Sequence, residues 1–348
     1  MMRRWRWALL AVAMLVLMGC SEKKAALTAY NAQFFDYFDT FTTVTVYAES
    51  EDQFAKYENL IREEMDYYHR LTDIYYDYEG MNNAKTVNDH AGLSPVQVDR
   101  ELIDLLLYAK EEYEVTGGKM NVAMGSVLSI WHEYRERGTA DPERAVVPDL
   151  TELKQAAEHM DIDDVVIDEE ASTVYLADEG MSLDLGAVAK GYAAECVAAK
   201  LEEAGVTSAL LSLGGNVRTI GTKPDGSSWR VGIQNPDAAS EMSYIHAVDV
   251  NDSSLVTSGT YQRYYEVDGV RYHHIIHPDT LMPWNEYVSV TILCADSGRA
   301  DALSTAVFNM EPDEGLAFVE SQEGVEALWV FADGSEMESS GMGTYVEE

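Results

Sequence analysis

From Asp164 onward the chain breaks into short apolar runs separated by turn residues, and this limits its fold more than any other feature. "DVVIDEEASTVYLAD" reads as a hairpin. "SALLSLGG", "VRTIGT", "WRVGIQNP", "IHAVDVND", "SLVTSG", "YYEVDGVRYHHII", "YVSVTILCAD" and "VEALWVFAD" follow as candidate strands. Upstream the period is mostly helical. "TFTTVTVYA" (Thr40 to Ala48) is a β-branched strand, but "DQFAKYENLIREEMDYYHRL" sets Phe54, Tyr57, Ile61, Met65 and Tyr68 on one side of a helix. "DRELIDLLLYAKEEYEVTGG", stopped by Gly117-Gly118, and "NVAMGSVLSIWHEYRERG" are two more, and Asp149 or Thr151 caps a short helix through His159. Strands in meander order beside grouped helices predict α+β rather than a doubly wound α/β sheet.

The N-terminus has the layout of an export signal. Arg3, Arg4 and Arg6 precede an eleven-residue apolar run, Ala8 to Met18, too short to span a bilayer. Leu17-Met18-Gly19-Cys20 then resembles a bacterial lipoprotein box, in which the cysteine is acylated. The expected organisation is a lipoprotein signal peptide over 1–19, a tether over 20–34 from acylated Cys20, and one functional domain over 35–348. The protein is then lipid-anchored at the cell membrane, on its extracytoplasmic side. Losing three arginines takes the formal charge from −37 to −40. Such a chain lacks the basic face that nucleic acid or a flat seat on anionic lipid requires. An anionic ligand has to be neutralised locally, which favours a metal cation. Cys196 and Cys294 have no metal-like spacing and read as buried free thiols.

Several motifs suggest chemistry. "DLGAVAKG" (Asp184 to Gly191) takes a strand end at Asp184 into a helix starting near Ala187, a turn small enough for backbone to approach a ligand. Lys190 in the first helical turn is poorly placed for the dipole; an anion there is one reason for it, and a solvated lysine is the plain alternative. "LSLGGN" is a second glycine-rich turn after a strand. "YHHIIHPDT" holds His273, His274 and His277 without partners at zinc spacing; a general base and an ordinary hydrogen-bonded histidine are both readings of it. On a strand His273 and His274 point to opposite faces. "ADALSTAVF" puts Asp301 and Thr305 four residues apart, hence on one helical face, in an otherwise small apolar run. Back-bonding by Thr305 and a dipole role for Asp301 are the plain alternative.

In this order, "FDTFTTVTVY", "DLGAVAKGYAAE", "LSLGGNVRTIG", "VGIQNP", "TSGTYQRYYEVDGVRYHHIIHP" and "ADALSTAVF" resemble the ApbE family of flavin transferases, the FAD:protein FMN transferases, over roughly Phe35 to Gly341. The resemblance implies a single α+β domain with a central, mostly antiparallel sheet flanked by helices, and flavin held in a cleft. It implies that Asp301, Thr305 and the main-chain carbonyl of Ala187 bind magnesium or another divalent cation. It implies that Asp184 and Lys190 meet FAD beside the metal, that Ile276 and a stacking Tyr78 contact the flavin, and that His274 is the base. Three positions depart from the family: Lys119-Met120-Asn121 stands for its "AFD", His277 for an aspartate, and Phe38 for the methionine of "MGT". Lys119, Met120 and Asn121 are placed with the flavin contacts.

The implied reaction is Mg²⁺-dependent transfer of FMN from FAD, the substrate, to a threonine or serine hydroxyl of an exported acceptor protein, a redox subunit, with release of AMP. Two rivals follow from the same residues: a pyrophosphatase that cuts FAD to FMN and AMP with water, and a non-catalytic flavin-binding lipoprotein.

Overall fold

Burial alternates along Thr40–Ala48, with Thr42, Val44, Val46 and Ala48 inside and the residues between them less buried. This is the signature of a strand with one face on a core. The structure is a computed structural model that describes residues 26–237 and 240–346, so the signal segment and Cys20 lie outside the described residues.

The strands are β1 Thr28–Tyr37, β2 Thr40–Ala48, β3 Val96–Gln97, β4 Val165–Asp168, β5 Thr173–Leu176, β6 Ala209–Leu213, β7 Asn216–Ile220 and β8 Trp229–Gln234. They continue as β9 Tyr244–Val250, β10 Ser254–Gly259, β11 Tyr264–Val267, β12 Val270–His273, β13 Tyr287–Cys294, β14 Glu326–Phe331 and β15 Glu336–Glu338. Eight of them form one sheet, ordered β1-β2-β6-β7-β10-β13-β14-β15, with every neighbouring pair antiparallel. The α-helices are α1 Glu51–Thr72, α2 Ala84–Asp89, α3 Arg100–Val115, α4 Gly125–Ala140, α5 Leu150–Ala156, α6 Ala189–Glu203, α7 Ser297–Phe308 and α8 Pro312–Ser321. The α+β class and the antiparallel sheet stand as expected.

The sheet is covered on both faces. Ala327 and Trp329 of β14 join the core under the helices, while Leu328 and Val330 join a second cluster with Val231, Ile233, Val248 and Val250 of the β8–β9 ribbon. Alternation therefore turns into a continuous apolar run in "ALWV". Burial of Leu328 or Val330 contributes about 1.5–3 kcal/mol each.

The tether ends earlier than expected. Residues 28–34 belong to β1, where Thr28 pairs with Ala48 and Phe34 with Thr42. Asn31 and Gln33 made the segment look like a linker, but they point outward while Phe34 is buried and Tyr30 stacks on Phe54. The segment before α6 also differs from expectation. Ser182 forms only an isolated bridge to Met124, Asp184 stands in irregular extended chain, and the helix begins at Ala189.

One buried group works against the core. Glu112 on α3 is 5% exposed, and its Oε2 has no hydrogen-bond partner among the described residues. Burial pushes its pKa up to about 7, with Asp296 and Glu111 adding to the rise and Arg299 opposing it. A folded pKa above the unfolded value means that the stability is complete below the unfolded carboxyl range and is lost as pH rises through about 7. The cost above that point is of order 3 kcal/mol. Glu112→Gln is therefore expected to match the parent in urea unfolding at pH 5 and to exceed it at pH 8; equal midpoints at pH 8 would contradict this.

Candidate active site at the crossing of two helices

Helices α6 and α7 cross at Gly191, and the crossing fixes Asp301. A Cβ on Gly191 would lie 2.2 Å from the Ser297 carbonyl oxygen and 2.5 Å from the Asp301 Cβ, so only glycine permits this approach. The Gly191 N–H donates to Asp301 Oδ2 at 2.9 Å, although the two residues are on different helices. The dipole at the start of α6 thus has its anion, supplied by α7. Asp296 caps α7 itself, accepting from the Arg299 N–H at 2.7 Å. The back-bond that is the plain alternative for Thr305 is made by its neighbour instead: Ser304 Oγ donates to the Asp301 carbonyl and pairs with Ser258 Oγ.

Asp301 and Thr305 face a cavity of about 1190 Å³, above the ~300–1,000 Å³ common for small-molecule sites. Asp184, Ala187, Lys190, Lys119, Met120, Asn121, His274 and Ile276 line the same cavity. Ten of the expected site residues, far apart in sequence, are therefore brought together. Tyr78 is not. Its hydroxyl donates to Asp73 Oδ2 at 2.6 Å, and although Asp73 lines the cavity, Tyr78 itself does not. Tyr75 and Tyr76 line the cavity in its place. The reason is local: Asp73 Oδ1, just past the end of α1, accepts from the N–H of both residues and turns them outward. Asn121 contributes wall rather than a free amide, because its Oδ1 accepts from the Ala123 N–H and its Nδ2 donates to the Met160 carbonyl.

The glycine-rich turn also reaches the site. Gly214 and Gly215 link β6 to β7 at φ +54° and +107°, and a Cβ on Gly214 would strike Thr40 Oγ1 at 1.6 Å. Phe38 and Asp39, both at positive φ, form the facing β1–β2 turn, and the Phe38 N–H donates to His69 Nδ1.

The three histidines separate by their partners. His273 uses both ring nitrogens: Nε2 donates to the Trp284 carbonyl, and Nδ1 accepts from the Ile275 N–H. Burial lowers its pKa to about 4. His277 Nδ1 accepts from the Asp279 and Thr280 N–H groups, and its ring stays out of the cavity lining. His274 lines the cavity, and its Nδ1 has no partner among the described residues. Burial pushes its pKa down to about 3, and His273, Arg263, Arg135 and Lys190 push the same way. His274 is thus a neutral imidazole at neutral pH, able to take a proton.

Among the described residues no group of three or more His, Cys, Asp or Glu side chains is arranged for a metal. Asp301 is the one expected ligand with charge. It is 3% exposed, with one N–H on Oδ2 and the Lys190 ammonium 3.5 Å from Oδ1. A buried carboxylate so thinly satisfied, lining one cavity with Thr305 and Ala187, fits a hard divalent cation.

Arg135, Arg263, Tyr75 and Tyr76 were missed from the sequence. Trp131 and Arg135, four apart on α4 and both in the lining, carried a readable helical-face signal.

A profile described as the ApbE family matches residues 38–329. The FAD:protein FMN transferase of Treponema pallidum (strain Nichols) is 38% identical over 270 residues, covering 74% of this chain and 72% of that protein. That of Klebsiella pneumoniae (strain 342) is 35% identical over 266 residues, covering 75% and 80%. The crystal structure of the ApbE protein from Thermotoga maritima superposes with a TM-score of 0.79 at 29% identity, over 92% of this chain and all of that one.

Gly191→Ala is expected to force α6 and α7 apart, at a cost of about 1–3 kcal/mol. Thermal unfolding checks this; an unchanged midpoint would show that the crossing tolerates a methyl group.

Proposed function

The chain belongs to the ApbE family, and from that premise we propose that it is an FAD:protein FMN transferase: it moves FMN from FAD to a threonine or serine hydroxyl of an exported acceptor protein and releases AMP. The observation that carries this reading is the convergence of Asp301, Thr305, Lys190, Asp184 and His274 on one cavity.

FAD lies in the cavity as the substrate. Asp301, Thr305 and the Ala187 carbonyl would hold magnesium or another divalent cation, which would supply charge neutralisation for the pyrophosphate. Lys190, whose ammonium already sits near Asp301, adds a cation at the same end. The acceptor hydroxyl loses its proton to His274 and its oxygen bonds to the FMN phosphorus. The anhydride P–O bond breaks, and AMP leaves with the electron pair. FMN remains as a phosphoester. The aromatic rings of Tyr75 and Tyr76 are suited to the flavin ring, a role moved here from Tyr78.

Acylation of Cys20 places this reaction at the outer side of the cell membrane, with exported redox subunits as acceptors. The acyl chain on Cys20 is the proposed anchor; among the described residues no helix is long and apolar enough to cross a membrane. Hydrolysis of FAD by water is the second reading, since the same base and cation serve water as nucleophile.

The test is FAD with Mg²⁺, with and without an acceptor peptide, following AMP and covalent flavin. Transfer predicts both products in step; free FMN alone would identify a hydrolase, and no AMP a binding protein. Asp301→Ala is expected to abolish metal-dependent AMP release. His274→Ala is expected to slow transfer about 10²–10⁴-fold while FAD binding persists. Equal loss of rate and binding would assign His274 to packing.

The depressed pKa of His274 also sets the pH profile. A lowered pKa keeps the base form as pH falls, so kcat/KM is expected to stay level from pH 8 down to about 5. An acid limb centred near the ordinary histidine value would show that His274 is not the titrating base.

A further inference from the structure

Two guanidinium groups in the cavity have no part in the scheme above. Arg135 is half-buried on α4, and Arg263 is exposed just before β11; both line the cavity. Arg135 Nη2 lies 2.8 Å from His132 Nδ1, and Arg263 Nη2 donates to the Asp39 carbonyl at 3.4 Å. Neither makes an ion pair with a carboxylate among the described residues. Arg62, Arg70, Arg100 and Arg218 each have a carboxylate partner; among the described residues Arg271 and Arg299 share the lack of one but stay out of the cavity lining, since Arg271 stacks on Tyr264 and Arg299 bonds Gln322. The cavity's own carboxylates do not fill the gap. Asp184 and Glu136 act on Arg135 only at longer range, while burial and Arg263 destabilise its charged form. Two like charges turned toward one solvent-filled space are stabilised by an anion between them.

We propose that Arg135 and Arg263 form a phosphate-binding subsite, a second hold on the FAD pyrophosphate separate from Asp301 and Lys190. This rests on the FAD-dependent reading above. The placement favours phosphate: the charges of Arg135, Arg263 and Lys190 all bear on the His274 ring, the point beside which the reacting phosphorus has to lie. Guanidinium suits it better than ammonium, since its planar fork pairs with two phosphate oxygens at once. An acidic side chain of the acceptor is the competing occupant.

The full-length chain, freed of FAD and metal in a chelator, is titrated with inorganic pyrophosphate and, separately, with ADP. Arg135→Gln and Arg263→Gln are each expected to weaken binding of both about 10-fold or more, the usual scale for losing a charge-assisted hydrogen bond. Arg135→Lys and Arg263→Lys are expected to restore only part of it, and they carry the test if the glutamine variants melt early. Unchanged pyrophosphate affinity in the variants overturns the proposal. So does a defect confined to the KM for acceptor peptide, which would assign the pair to an acceptor carboxylate. The titration needs neither acceptor nor turnover, so its failure is distinct from failure of the transfer reaction.

Discussion

The contact between the Gly191 N–H and the Asp301 carboxylate holds the site together. It needs a residue without a side chain on α6, a carboxylate on α7, and two helices close enough for a backbone donor of one to reach the other. Because α7 packs on β10 and β13 in the middle of the sheet, Asp301 inherits the rigidity of the core. Because α6 begins at the same point, Ala187 and Lys190 come with it. A site built on loops would lack this precision.

Charge explains much of the remainder. A chain with net charge −37 repels an anionic dinucleotide at long range, so binding depends on a local reversal of sign. The cavity provides one. Lys190, Lys119, Arg135 and Arg263 line it, and a metal beside Asp301 would add to them. The same cations, with burial, keep His274 unprotonated. Binding and base strength are therefore coupled: an anion that neutralises the cavity also raises the proton affinity of the imidazole.

Most of the fold was legible in the sequence. Period-2 and period-3.6 patterns identified β2, α1 and the hairpin β4–β5, and the order of strands and helices identified the class. Failures came where side-chain patterning was weak or repeated. Asn31 and Gln33 disguised β1, because an edge strand with an exposed face reads as a linker. Three tyrosines within four residues disguised the one turn that decides which of them reach the cavity.

For the site, the sequence by itself determined the chemistry that is present: an Asp and a Thr on one helical face, a small-residue turn before a helix, and a cluster of histidines. Only the tertiary structure decided which of those groups meet. It separated His274 from His273 and His277, since the hydrogen bonds that occupy the other two rings come from residues that fold back onto them. It exchanged Tyr78 for Tyr75 and Tyr76, and it brought Arg135 and Arg263 from separate elements into one cavity. The physical reason is that local patterns fix which face of an element is buried, whereas the position of a charge relative to another depends on how elements cross, and that is set by packing.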